Sequence, residues 1–311
     1  MSTTTTAISK MSTTFSSKKD RETSNGVELG QGQVETVKQK SALEAISQGV
    51  PLPGVPLFND IDKKRRWMLE HMAGAFRVFA RRGYTEGMSG HISLRDPEHK
   101  DWFWTNPLGL HFGLVKANDM ILLDHSGSVV GGNTSRPANA AGFQIHGAIH
   151  KKYPHVNAAC HTHSPYGKAW SAFARRLDMI NQDACQFYGE TQAVYPHFGG
   201  VVFSEEEGKR LAESLGSNGK LLILRNHGLL TAGNTVDEAA YLFTLAERSC
   251  EVQLMVEAAE RKGGPEKVLI EEDVAKWTWN MTHEAEALYC EFQPDYDMEL
   301  ELTGGSFLWK E

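Results

Sequence analysis

The 311-residue chain holds only four cysteines, Cys160, Cys185, Cys250 and Cys290, and no two stand at CxxC spacing. Scattered thiols of this kind exclude a small disulfide-bonded framework and predict free cysteines in a reducing, cytoplasmic setting. No apolar run is long enough to span a bilayer. Dense blocks of Lys and Arg are also missing, and the formal charge is −7 with a pI near 6.0. The chain therefore offers no electrostatic footprint for nucleic acid or an anionic membrane surface, which leaves small molecules as the expected partners. Neither an internal repeat nor the strict strand–helix alternation of a doubly wound parallel sheet is found. What is present, 41% hydrophobic and 23% charged residues with 29 glycines, describes a turn-rich globular protein.

Residues 1–55 read as a tail and an extended arm. The first part is rich in Ser, Thr, Gln, Lys and Glu and poor in aromatics, so it buries too little surface to offset ordering entropy. The opening "MSTTTTAISKMSTTFSSKK" lacks the arginines and apolar stripe of a transit peptide, and a disordered cytoplasmic tail is expected. "PLPGVPLF", residues 51–58, carries three prolines and reads as extended. From Asp60 to Gly83 apolar residues recur at helical spacing. Short β-type runs follow in "HISLRD", "DWFWTN" and "MILLDHSGSVVGG", the last a hairpin turning at Ser126-Gly127. "NAAGFQIHGAIHKKYP" returns to helical spacing, and "VNAACHTH" is a strand running into a helix, with Ser164 as N-cap and Pro165 at the first helical position. "SEEEGKRLAESLG" is a helix, "KLLILRNHGLLTAG" a buried strand broken at Asn226-His227-Gly228, and residues 235–261 a long helix.

Chemistry concentrates at the end of "VNAACHTH". In an extended strand residues i and i+2 share a face, so His161 and His163 stand side by side, as a metal site requires. A third ligand must come from elsewhere. His227 is the leading candidate, because it leaves an apolar run beside a glycine that lets the chain turn toward a cleft. His146 and His150, which share a helix face, and His91 in a Gly-rich turn compete for the role, and spacing alone does not choose among them.

The order "SGHIS", "TNPLG", a helix bearing His146, "HTH" and "RNHG" followed by a long helix, over roughly residues 60–262, resembles the class II aldolase/adducin family, which includes fuculose-phosphate aldolase. The resemblance implies an α/β fold, three-layer α/β/α with a largely antiparallel central sheet, over residues 56–265, and a C-terminal helix and arm over 266–311. It also implies a divalent metal, Zn²⁺ ahead of Fe²⁺, on His161, His163 and His227. Homotetramers are expected, with Tyr289 and Tyr296 as candidates to reach a neighbouring site.

The departures matter as well. The family's catalytic Glu corresponds to Gly142, its phosphate-holding serines to Ala140 and Ala141, and the Asn of its "SGN" turn to His91. Ser89, Gly90, His91, Thr105 and Gly109 remain to cradle a substrate anion. By analogy with the methylthioribulose-phosphate dehydratase branch, Asp183 or Glu190 takes the acid/base role. The function expected is a metal-dependent lyase acting by aldol cleavage, decarboxylation or dehydration on a small hydroxy-carbonyl or keto-acid compound. One alternative is a non-haem Fe(II) oxygenase, with Trp102, Phe103, Trp104 and Phe112 shaping an apolar pocket. The other is a non-catalytic, adducin-like cytoskeletal module that binds actin.

Overall fold

The computed structural model describes residues 41–201, 204–261 and 263–311; the expectation for residues 1–40 lies outside them. Asp60 starts the first long helix by accepting the amides of Asp62 and Lys63. Helix α2 (Ile61–Arg81) follows a short capped helix, α1 (Ala42–Ile46), that sits in the stretch expected to be tail and arm. The apolar stripe of α2, Leu69, Met72, Phe76 and Phe79, is buried.

Next along the chain come β1 (His91–Arg95), β2 (Phe103–Thr105), β3 (Ile121–Leu123), β4 (Val129–Gly132), α3 (Ala140–Lys152), β5 (Ala158–Thr162) and α4 (Pro165–Ser171). They are followed by β6 (Gln192–Tyr195), α5 (Glu205–Leu215), β7 (Leu221–Leu224), β8 (Gly228–Gly233), α6 (Val236–Arg261), α7 (Glu272–Thr282) and α8 (Ala285–Thr303). Among the described residues the strands form one sheet in the order β4-β3-β2-β1-β5-β8-β7-β6. Every neighbouring pair is antiparallel except β6 with β7.

Alternation along the strands sorts side chains to two covered faces. Ile92, Leu94, Cys160, Leu221, Ile223 and Leu229 pack under α2, α6 and α8. Leu222, Leu224, Leu230 and Ala232 pack under α3 and α5 through Ile145, Ile149, Leu211 and Leu215. A sheet covered on both sides needs apolar residues at successive positions, which is why "LLIL" has no polar alternation. The result is a three-layer α/β/α fold with a largely antiparallel central sheet. Among the described residues no helix is long and apolar enough to cross a membrane.

Several local expectations change. The hydroxyl of Ser164 does not cap α4; it donates to Glu247 of α6 at 2.5 Å, and that carboxylate takes the amides of Tyr166 and Gly167 at 2.7 and 2.6 Å. The cap comes from a residue 83 positions away, beyond the reach of local sequence reading. The segment after residue 265 forms two helices, and Leu288 and Phe292 of α8 join the core of α2 and α6. Tyr289 and Tyr296 are buried in their own chain, Tyr296 stacked on His71 with ring centroids 4.1 Å apart, so neither is free to reach a neighbour. The aromatics of "DWFWTNPLGLHFG" are likewise spent on packing. Trp104 donates its indole N–H to Asp96, Phe112 meets Phe76, and Trp102 lies against His99.

Candidate metal centre

Antiparallel register places His161 of β5 opposite His91 of β1 and Leu230 of β8, so these side chains share the face toward α3. His161 is 1% exposed, and its Nδ1–H donates to the carbonyl of Leu229 at 2.8 Å. That bond holds the proton on Nδ1 and leaves Nε2 as a free donor atom for an ion. His163 lies just past the end of β5, two residues along on the same face.

His227 sits in the tight turn between β7 and β8, between Asn226 at φ +57° and Gly228 at φ +151°. Glycine is needed there for a second reason, since a Cβ would stand 3.2 Å from the carbonyl oxygen of Thr162. The Nε2 atoms of His227 and His163 are 3.0 Å apart, and ligand atoms of His161, His163 and His227 all lie within 4.8 Å of one another.

Burial holds His161 well below the ordinary histidine range and pushes His227 down to about 4, with His163 beside it adding to the effect. Burial lowers His163 as well. At neutral pH all three imidazoles are therefore unprotonated, the state that binds metal. Two nitrogens bound tetrahedrally to zinc at about 2.0–2.1 Å stand about 3.3 Å apart, a few tenths of an ångström from the separation found. The donor set suits a divalent ion.

The trio opens into a cavity of about 920 Å³ whose other lining includes Ser89, Gly90, His91 and Gly142. Apolar Met88, Phe198 and Val201 line its exposed part, where Lys168 forms an ion pair with Glu86. Of the expected substrate residues, Thr105 and Gly109 stay outside this lining. Thr105 is buried and donates its hydroxyl to the carbonyl of Ile92, whereas Gly109 is exposed near Arg136. Asp183 and Glu190 also stay outside; both are exposed, and Glu190 accepts from Asn218 at 3.2 Å. Glu86 and Lys168 are the charged lining residues that sequence reasoning missed, and no motif marks either.

His91, His146 and His150 form a second histidine group, which meets the first where the His91 and His161 ring centroids stand 5.0 Å apart. Residues i and i+2 of β1, His91 and Ser93, face residues i and i+4 of α3, His146 and His150. Gly142 makes this possible. A Cβ at that position would stand 2.6–2.8 Å from the His91 ring, so His91 occupies the space that a side chain on the first turn of α3 would need. Gly142→Ala is expected to destabilise the protein by about 1–2 kcal/mol in urea unfolding. Overpacking a buried ring costs roughly 1–3 kcal/mol, and helix propensity returns at most about 1 kcal/mol. A stabilised variant would mean that the ring moves aside freely.

Comparison with known proteins agrees with this architecture. The model of the "Class II Aldolase and Adducin N-terminal domain" family matches residues 70–254. The chain is 42% identical over 252 residues to the meiotically up-regulated gene 14 protein of Schizosaccharomyces pombe, covering 81% of this chain and 96% of that one. It is 41% identical over 215 residues to a 4-hydroxy-3-prenylphenylpyruvate oxygenase/4-hydroxy-3-prenylbenzoate synthase of Streptomyces roseochromogenus, covering 68% and 75%. Among solved structures it is similar to an L-fuculose 1-phosphate aldolase from Glaciozyma antarctica, with TM-score 0.74, 37% identity and coverage of 82% and 97%. With a family match across most of the sheet and helices that carry the histidines, the chain belongs to the class II aldolase and adducin family.

Proposed function

We propose that the protein is a metal-dependent lyase that cleaves, decarboxylates or dehydrates a small hydroxy-carbonyl or keto-acid compound. The observation that carries this reading is the convergence of three neutral imidazoles on one cavity wall, with lone pairs available and room beyond them for a ligand. Nothing in the packing of the sheet calls for such an arrangement. His161, His163 and His227 would hold the ion, zinc ahead of iron, and a bound divalent ion supplies Lewis acidity toward substrate oxygens. Ser89 and Gly90 line the same wall, and Lys168, 38% exposed, offers N–H donors to a substrate anion. The apolar part of the lining suits a substrate with a hydrocarbon or aromatic portion.

His227→Ala is expected to lower metal content from about one equivalent to under about a tenth, with stability of the metal-free protein changed by less than about 1 kcal/mol. Elemental analysis of protein purified without added metal reads the first quantity. Undiminished metal in the variant would overturn the ligand assignment. A second reading, a non-haem iron oxygenase, is favoured by the oxygenase activity in the name of the Streptomyces relative. Iron together with oxygen uptake on an aromatic 2-keto acid would select it. Absence of metal under every loading condition would leave the adducin-like scaffold.

The assembly is read as a homotetramer in the cytoplasm. Exposed Val268, Leu269, Val274 and Trp277 on and before α7 supply apolar surface for a subunit contact, and four buried free thiols suit a reducing compartment.

A further inference from the structure

The cavity beside the three histidines carries little charge of its own. With those rings neutral, Glu86 and Lys168 are the charged side chains among the described residues that line it, and they face each other as an ion pair. Each stands on a fixed support. Lys168 belongs to α4, whose first amides are held by Glu247. Its stem passes so close to the turn of His227 that a Cβ on Gly228 would stand 4.0 Å from its Cγ. Glu86 opens a tight turn that leads to Ser89 and Gly90 on the cavity wall, with Gly87 at φ +56° and the Ser89 amide donating to the Glu86 carbonyl at 2.9 Å.

The pair itself holds little together. The side chains of Lys168 and Glu86 are 38% and 53% exposed, and an ion pair this open to water contributes little to stability. Glu86 can therefore be exchanged for another carboxylate at small cost, and it shows which anion the ammonium accepts. A phosphate monoester would bring a charge of about −2 and three acceptor oxygens. The described lining holds no further cation to meet them. There the first turn of α3 contributes Ala140 and Ala141, which have no side-chain donor, and the amide of Gly142 is already given to Asn139 at 3.0 Å. The same cavity is lined by exposed Met88, Phe198 and Val201, which an apolar body would cover.

We propose that Lys168 determines specificity in this cavity, and that its ligand is the carboxylate of a monoanion with a hydrocarbon or aromatic body, which displaces Glu86 from the ammonium. The inference rests on the lyase reading for calling that ligand a substrate; the exchange at Lys168 needs no metal.

The test is calorimetric binding of 3-phenylpropanoate, 3-phenylpropanamide and 2-phenylethyl phosphate to the full chain at neutral pH, with metal content read on the same samples. The carboxylate is expected to bind at least about tenfold more tightly than the amide or the phosphate, the worth of one charge-assisted hydrogen bond. Lys168→Met should bring acid and amide within about twofold of each other. Glu86→Gln, which removes the competing carboxylate, should tighten the acid about threefold and leave the amide unchanged; a merely structural pair would weaken both. Equal binding of acid and amide by the wild type, tighter binding of the phosphate, a preference for the acid that survives Lys168→Met, or weaker acid binding in Glu86→Gln would each overturn the proposal. So would failure of the carboxylate to bind at about 10 mM. Should either variant not fold, the three wild-type affinities decide alone. Chelator-treated protein is expected to keep the preference, and its loss with the metal would place the carboxylate on the ion instead of on Lys168. A preference found in protein that takes up no metal would sink the metal reading and leave this one standing.

Discussion

Acidification from pH 7.5 to pH 5.5 is expected to remove several kcal/mol of folding stability through the buried histidines. His91, His146, His150 and His161 are each 5% exposed or less, and burial lowers the proton affinity of all four in the folded protein. In the unfolded chain they return to an ordinary value near 6.5. Their folded values are depressed, so the stability they contribute is complete above about 6.5 and is lost as pH falls toward the folded values, about 3 for His150. Over this window the unfolded chain binds more protons, and stability must rise with pH. Each such histidine is worth roughly 1 kcal/mol per pH unit just below 6.5, and the group about 4, against a typical total of about 5–15 kcal/mol. Urea unfolding at pH 7.5, 6.5 and 5.5 measures the slope. Uptake of fewer than one proton on unfolding at pH 5.5 would mean that these rings are charged, or hydrated, in the native state.

Replacing Glu247 with Ala is expected to cost about 3–5 kcal/mol, a large effect for a residue outside the cavity lining. Its carboxylate is 2% exposed and pushed up by burial, while the Ser164 hydroxyl and the amides of Tyr166 and Gly167 pull it back. Removing it leaves the buried hydroxyl of Ser164 and the amide of Gly167 without an acceptor, at roughly 1–3 kcal/mol each. A cavity takes the place of the side chain and adds to the loss. Since α4 starts two residues after His163, metal affinity should fall together with stability. Glu247→Gln, which keeps one accepting oxygen, should lose about half as much; a loss under about 1 kcal/mol for Glu247→Ala would show that the cap is dispensable.

Much of this molecule can be read from local pattern. The stripe of α2, the buried "LLIL" strand and the break at Asn226-His227-Gly228 each follow from periodicity or from a residue with unusual backbone freedom. The pairing of His161 with His163 follows from strand geometry in the same way. The third position did not, because four histidines of similar standing were available and only the sheet order, β5 beside β8, brings His227 to the pair. Long-range partners were illegible for the same reason. Glu247 reaches Ser164, and Tyr296 stacks on His71, through contacts that no window of sequence contains. Asp183 and Glu190 rest on an analogy with a related branch at similar distance along the chain, which says little about direction once a chain has turned through short helical segments.

The turn that carries His227 joins β7 to β8, and β8 is already held to both β7 and β5 by sheet hydrogen bonds, so binding an ion closes no loop. Under the metal reading this separates ion traffic from folding. A chelator would strip the centre and leave the polypeptide native, and a different ion could then enter the same folded molecule. Zinc and iron forms would interconvert by exchange rather than by resynthesis, and the chemistry displayed would be set by whichever ion was last in supply.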